Sequence, residues 1–366
     1  MLSTHGANVK QLCIKYNLNE DNITDFSSNI NIFKPHINYE LLAENISFSI
    51  NRYPDIEYSE LKENIFHLYK IDKNYIQVGN GATELIYDLL LLDEFKNIGI
   101  FNPTFSEYER ASLINKKNVI DLDINKIDQI DENTNIKDFK NLYLQENVNI
   151  PDILILCNPN NPTGIIKNLQ NLIKFCKKNN IFLLVDETFI DFMYNENFSL
   201  ISNIKLYDNL IILNAITKFF AMTGARLGYT FCSNKDINRA LEKIKKPWSI
   251  NILAEEVIKQ LCNINTDFYE KTKNYFTNES KRLYDKYSSI KNISITNSSA
   301  PFFTISLHDK NAQELQKKLL LEKNILIRTL NNYKNISENS IRIAIKEQHI
   351  NDMLFDILSE YFNTKH

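Results

Sequence analysis

One lysine of this 366-residue chain, Lys218, stands in a setting that suits nucleophilic chemistry. It follows the hydroxyl of Thr217 and precedes an apolar run over residues 219–221. A charged lysine among apolar groups loses hydration, so its pKa falls and the neutral amine becomes available as a nucleophile. Thr217 and Arg226, which lies eight residues after the lysine, can hold an anion beside it. Most of the 42 lysines and arginines are expected to be solvated, so this interpretation depends on the rest of the chain.

Glycine indicates where the other parts of a site are expected. Six of only seven glycines fall in four short segments, at positions 6, 79, 81, 164, 224 and 228. Glycine is needed where φ is positive or where backbones approach closely. The segment 76–84 reads as a short strand, a glycine turn and the start of a helix. Such a turn presents free N–H groups and the positive end of a helix dipole, which suits a phosphate.

The elements that must position these residues alternate between strands and helices. Apolar runs predict strands at residues 98–101, 119–122, 153–157, 181–185, 210–213 and 227–231. This alternation indicates an α/β fold with a mostly parallel sheet, whose chemistry lies at the carboxyl ends of the strands. Polar residues follow four of the strands, at 102–105, 158–164, 186–187 and 218. We therefore expect these four groups to converge.

The pattern changes after Trp248. Long helices near 254–261 and 268–287 lead to strands near 293–295, 302–307, 325–327 and 341–345, and then to a final helix near 350–362. We expect a large domain over residues 50–250, and a smaller α+β domain over residues 251–366 that the N-terminal arm, residues 1–49, joins in space. Such an arm is often disordered, which is the alternative.

Composition limits the classes of function. A net charge of −3 favours neither a nucleic acid nor another polyanion as partner. No apolar run approaches the roughly 18–20 residues that cross a bilayer, and the first residues lack the pattern of a signal peptide. Five scattered cysteines without a CxxC pair indicate reduced thiols and no metal site. We expect a cytoplasmic protein with a small-molecule substrate.

An aldehyde cofactor that condenses with lysine accounts for the candidate lysine, the glycine turn and the polar residues at the strand ends. Pyridoxal phosphate needs a Schiff-base lysine, an acidic partner for its pyridine nitrogen and a phosphate cradle. Lys218, Asp186 and the turn at residues 79–83 match these needs. Asn161 can bond the ring hydroxyl, and Phe105 can stack on the ring.

The chain resembles the fold-type I pyridoxal-phosphate enzymes of the class I/II aminotransferase superfamily. The resemblance lies in the motifs at 161–164, 185–187 and 217–228, which occur in the family's order. It implies a three-layer transferase fold and a homodimer with active sites at the interface. It further implies Lys218 for the Schiff base, Asp186 for the pyridine nitrogen, Ala82, Thr83, Thr217 and Arg226 for the cofactor phosphate, Tyr53 reaching that phosphate from the neighbouring subunit, and Arg342 for a substrate anion.

Two groups of the superfamily are most similar: histidinol-phosphate aminotransferases and threonine-phosphate decarboxylases of cobalamin synthesis. Residues 5–8 and 25–31 resemble segments of the decarboxylases, and Phe189 stands where the aminotransferases usually have tyrosine. Ala7 and Ala225 depart from the pattern. The decarboxylase resemblance implies a phosphorylated amino acid, L-threonine O-3-phosphate, as substrate, with transamination of histidinol phosphate as the alternative. The residues implied in substrate binding are His5, Asn8, Asn31, Arg328 and Arg342.

Overall fold

Thirteen strands in three sheets occur in the computed structural model, which describes residues 6, 8–193 and 198–363. In chain order the strands are β1 Thr24–Asp25, β2 Ile76–Gly79, β3 Asn97–Asn102, β4 Asn118–Asp123, β5 Ile153–Cys157, β6 Phe182–Asp186, β7 Leu210–Ala215, β8 Gly228–Phe231, β9 Ile293–Ile295, β10 Phe302–Leu307, β11 Ile325–Leu326, β12 Arg328–Thr329 and β13 Ser340–Ala344.

The largest sheet has the strand order β2-β8-β7-β6-β5-β3-β4. Every neighbouring pair in it is parallel except the two pairs that involve β8. The central strands β5 and β7 are buried along their whole length, as expected for apolar strands with both faces covered. The prediction of an α/β fold with a mostly parallel sheet is confirmed.

Twelve α-helices accompany the strands in the described part of the chain. They are α1 Val9–Tyr16, α2 Tyr39–Ser49, α3 Ser59–Tyr69, α4 Ala82–Leu91, α5 Glu107–Ile114, α6 Ile136–Tyr143, α7 Gln170–Lys178, α8 Lys235–Ile244, α9 Ile252–Leu261, α10 Thr266–Ser288, α11 Ala312–Lys323 and α12 Gln348–Asn363. None of these helices has the length and apolar character needed to span a bilayer.

Helices α2, α5, α6, α8 and α11 were not predicted from the sequence. Four of them begin at asparagines that accept hydrogen bonds from N–H groups of the first turn: Asn38 for α2, Asn135 for α6, Asn234 for α8 and Asn311 for α11. Asparagine is a strong helix cap, but it is equally common in turns. In a chain rich in asparagine, an asparagine that caps a helix is therefore hard to distinguish by sequence from one that lies in a turn.

The C-terminal part of the chain builds a four-stranded antiparallel sheet in the order β12-β13-β10-β9. The N-terminal arm joins this part, because β1 pairs in parallel with β11 and Leu12 packs against Leu320 and Leu326. This contact agrees with an ordered arm over its described residues. The division into domains at residues 50 and 250 stays a prediction.

Candidate active site

The carboxyl ends of the parallel strands open onto a cavity of about 590 Å³. The loops after β3, β5 and β7 and the end of β6 reach it, as the sequence predicted. Nine of the predicted site residues line this cavity: Ala82, Thr83, Phe105, Asn161, Asp186, Thr217, Lys218, Arg226 and Arg342. The structure therefore brings together residues that are up to 260 positions apart in the chain.

Lys218 enters the cavity from the turn after β7. The two phenylalanines that follow it, Phe219 and Phe220, are fully buried and hold this turn in the core. Burial, together with the positive charges of Arg342 and Arg226, lowers the pKa of Lys218 to about 8, although the carboxylate of Asp186 opposes this shift. A substantial fraction of neutral amine is thus present at physiological pH.

Asp186 ends β6 on the same side of the cavity. One carboxylate oxygen accepts a hydrogen bond from the Tyr108 hydroxyl at 2.6 Å. The other accepts from the backbone N–H of Thr188 at 2.9 Å and from the hydroxyl of the same residue. Burial raises the pKa of Asp186, while these hydrogen bonds and the charge of Lys218 act in the opposite direction.

The start of α4 forms a cradle that only glycine permits. Gly81 precedes the helix with φ of +78°, and a Cβ at this position would collide with the guanidinium of Arg226. A Cβ at Gly228 would collide with the backbone nitrogen of Ala82. The two glycines therefore let Arg226 approach the positive end of the helix, where both suit a phosphate.

Two arginines lie opposite each other where β12 and β13 pair, Arg328 and Arg342. Arg342 faces the cavity, donating from Nη1 to Asn161 Oδ1 at 2.5 Å and from Nη2 to the carbonyl oxygen of Ser27 at 3.0 Å. Burial lowers its pKa. Arg328 does not line the cavity and donates to Asn332 Oδ1 at 2.6 Å. The structure thus separates two residues that the sequence analysis treated alike.

Three further predicted residues lie away from the cavity. Tyr53, for which we predicted a contact with the coenzyme phosphate of the neighbouring subunit, is 81% exposed and packs on Trp248, with ring centroids 4.6 Å apart, and its role stays a prediction. Asn8 precedes α1 and does not line the cavity. Asn31 is buried and its amide nitrogen donates to the carbonyl of Phe219 at 2.7 Å, so it contacts the lysine-bearing turn where we expected a substrate contact. His5 lies outside the described residues.

Sequence reasoning missed several residues that line or support the site. Glu107, Arg110, Thr188 and Tyr333 line the cavity, and Tyr108 donates a hydrogen bond to Asp186. Gly6 and residues 27–30 line it as well; they lie in two segments that the sequence analysis had compared with the decarboxylases without assigning these residues to the site. The contact of Thr188 could have been predicted, because the side chain of an aspartate commonly accepts hydrogen bonds from the residue two positions later. The contact of Tyr108 could not, since its position in α5 resembles that of any buried helical aromatic residue.

The comparison with protein families agrees with this geometry. The model of the family described as aminotransferase class I and II matches residues 14–357. The chain belongs to this family. It is 34% identical to a protein of Caldanaerobacter subterraneus subsp. tengcongensis named "Putative threonine-phosphate decarboxylase", over 90% of this chain and 88% of that protein.

Histidinol-phosphate aminotransferases are similar as well. The chain is 29% identical to the one from Caldanaerobacter subterraneus subsp. tengcongensis, over 86% of this chain and 85% of the relative. The crystal structure of the histidinol-phosphate aminotransferase from Clostridium acetobutylicum matches with a TM-score of 0.79 and 29% identity. That match covers 93% of this chain and 99% of the other.

Enzymes of this family depend on pyridoxal 5′-phosphate, so the predicted cofactor is confirmed. The cavity fits this coenzyme, because it combines an amine of depressed pKa, Lys218, with a buried carboxylate, Asp186, and the cradle between Gly81 and Arg226. These groups match the aldehyde, the pyridine nitrogen and the phosphate of the coenzyme in chemical type. The roles of the individual residues stay predictions.

Proposed function

We propose that this enzyme decarboxylates L-threonine O-3-phosphate to (R)-1-amino-2-propanol O-2-phosphate, a reaction of cobalamin biosynthesis. The observation that carries the proposal is the wall of the cavity beside Arg342, which consists of Gly6 and residues 27–30 of the N-terminal arm. These residues belong to the two segments in which the sequence resembles the decarboxylases. The identity of 34% to the decarboxylase-named relative, against 29% to the aminotransferase of the same organism, supports the same choice.

The coenzyme supplies a carbonyl that condenses with amines and a ring that accepts electrons from the substrate Cα. In the proposed mechanism Lys218 would provide the amine that holds the coenzyme, and its protonated form would donate to Cα the proton that replaces the carboxylate lost as carbon dioxide. Asp186 would keep the pyridine nitrogen of the coenzyme protonated. The phosphate group of the coenzyme would be held by Ala82, Thr83, Thr217 and Arg226. These assignments rest on the family resemblance, and the fact that these residues line one cavity supports them.

The substrate carries two anionic groups, a carboxylate and a phosphate. Arg342 is the proposed ligand of one of them, since its guanidinium is buried, faces the cavity and is oriented by Asn161 and Ser27. A guanidinium fixed in this way binds an anion without further loss of side-chain entropy. Arg110, at the rim of the same cavity, is a second cation within the lining.

Incorporation of the coenzyme is expected to depend on pH through Lys218. Only the neutral amine attacks the aldehyde, so the rate of incorporation into the apoprotein should rise with pH to a plateau. We expect the midpoint near pH 8, because the pKa of Lys218 is lowered to about 8. An unperturbed lysine would give a midpoint at roughly 10.4. Stopped-flow absorbance measures this rate, with free pyridoxal phosphate titrated in parallel, and a midpoint near the unperturbed value would contradict the assignment.

Substituting Gly81→Ala is expected to weaken coenzyme binding by about tenfold or more, because alanine is strained at φ of +78° by about 1–3 kcal/mol, and relief of this strain would displace the N–H groups of the cradle. The added methyl group would also push Arg226 from the start of α4. Gly224→Ala is the matched control, since a Cβ there meets no atom within 4 Å. Equilibrium dialysis of both variants measures the effect, and equal affinities would remove the proposed cradle.

The reaction itself is tested with the coenzyme-loaded protein and L-threonine O-3-phosphate, without any keto acid. We expect stoichiometric release of carbon dioxide. The similarity to the histidinol-phosphate aminotransferase from Clostridium acetobutylicum makes transamination the second candidate. Turnover of histidinol phosphate that requires 2-oxoglutarate, with no carbon dioxide from threonine phosphate, would overturn the proposal in favour of that candidate.

A further inference from the structure

Tyr108 does not line the cavity, but it contacts Asp186, a residue that does. Tyr108 lies in the first turn of α5, is fully buried, and donates its hydroxyl to Asp186 Oδ2 at 2.6 Å. Its own backbone is held in place, because the Ser112 hydroxyl donates to the Tyr108 carbonyl at 2.8 Å. Its ring also packs against that of Phe105 in a T-shaped arrangement, with centroids 5.7 Å apart at 86°. The hydroxyl is therefore positioned by packing on several sides.

The two oxygens of Asp186 are held by different elements. Thr188, two residues along the same loop, bonds Oδ1, whereas Tyr108 bonds Oδ2 from a helix 78 residues earlier in the chain. Together the two contacts fix the plane of the carboxylate. Since Asp186 is 5% exposed, water cannot readily replace a lost donor.

We propose that Tyr108 is a positioning residue of the coenzyme site, whose hydroxyl keeps Asp186 ionised and correctly oriented for the pyridine nitrogen. A buried carboxylate that loses a donor favours its neutral form. A neutral carboxyl group would no longer stabilise the proton on the pyridine nitrogen. This inference concerns the coenzyme alone and holds whether the enzyme decarboxylates or transaminates its substrate.

The other titratable groups around Asp186 do not provide the same contact. Cys157 comes from β5 and its burial raises its pKa well above the ordinary value, so it stays neutral. Glu187 is the next residue in the chain, and its carboxylate accepts from Ser199 and from the backbone N–H of Leu200. Lys218 provides a favourable charge but is the residue expected to react with the coenzyme.

The test compares Tyr108→Phe with a matched control, Tyr143→Phe. Tyr143 is a half-buried tyrosine of α6 that packs against the core, and its buried hydroxyl finds no hydrogen-bond partner among the described residues. Each variant is titrated with pyridoxal phosphate and with an analogue in which carbon replaces the ring nitrogen. The analogue lacks the ring nitrogen that Asp186 is proposed to bind. Comparison of the two ligands therefore distinguishes an electrostatic role of Tyr108 from a general loss of packing.

We expect Tyr108→Phe to bind pyridoxal phosphate about tenfold or more weakly, which is the usual effect of losing a hydrogen bond to a charged group. The same variant should bind the nitrogen-free analogue as the wild type does, and Tyr143→Phe should bind both ligands normally. Equal weakening for both ligands would show a merely structural role. Unchanged affinity for both would also overturn the proposal.

A second measurement keeps the proposal testable if Tyr108→Phe fails to fold. Incorporating 3-fluorotyrosine at position 108 preserves the ring and makes the hydroxyl a stronger donor. The carboxylate of Asp186 should then stay ionised to lower pH, so the acidic limb of the pH profile of coenzyme affinity moves to lower pH. The same replacement at position 143 should leave the profile unchanged. A profile that does not move with fluorotyrosine at 108 would refute the positioning role.

Discussion

Lys218→Ala is expected to lower kcat by at least about a thousandfold, because the substitution removes both the covalent attachment point of the coenzyme and the proposed proton donor to Cα. Steady-state turnover at saturating coenzyme measures the loss. A second readout is reduction with borohydride, which should fix the coenzyme covalently to the wild-type protein and leave the variant unlabelled. Mass spectrometry of the labelled peptide identifies the site of attachment.

A second lysine provides the control for this experiment. Burial also lowers the pKa of Lys245 to about 8, but this residue lies over the ring of Tyr58 and does not line the cavity. Lys245→Ala should therefore retain covalent labelling and nearly normal turnover. Labelling at Lys245, or normal turnover by Lys218→Ala, would contradict the assignment of the reactive amine.

Arg342→Ala is expected to raise the KM for the substrate by roughly thirtyfold or more, since loss of one partner from a buried charge pair weakens binding by about 2–5 kcal/mol. Affinity for the coenzyme should change less, because Lys218, Asp186 and the cradle at Gly81 remain, although Arg342 also bonds Asn161 and its charge lowers the pKa of Lys218. Initial-rate kinetics and coenzyme titration measure the two effects separately.

Arg342→Lys refines this prediction. Lysine keeps the positive charge but lacks the rigid planar fork of N–H donors, so it does not reproduce the geometry in which Arg342 bonds Asn161 and Ser27 while facing an anion. We expect a KM between those of the wild type and Arg342→Ala. If Arg342→Ala binds substrate as tightly as the wild type, the anion-binding role of this arginine is wrong.

Most of the large sheet was predictable because its strands are short apolar runs with polar residues at their carboxyl ends. The run over residues 153–157 illustrates this, since every residue of it is buried in β5. The strand predicted at 325–327 shows the limit of such reasoning. Only its first two residues form a strand, β11, which pairs with the N-terminal arm. Ile327 lies outside any strand, and β12, which pairs with β13, begins after it at Arg328. A local pattern does not specify which neighbour a strand will pair with.

The sequence by itself determined the family, the coenzyme and the cavity-lining positions of Lys218, Asp186 and Arg226, because these lie in short motifs with the required residue types. Only the tertiary structure decided which distant groups support them. The Tyr108 contact with Asp186 spans 78 positions, and the Asn31 contact with Phe219 spans 188. Contacts of this kind arise from the packing of whole elements, so the periodicity and composition of a local segment do not encode them.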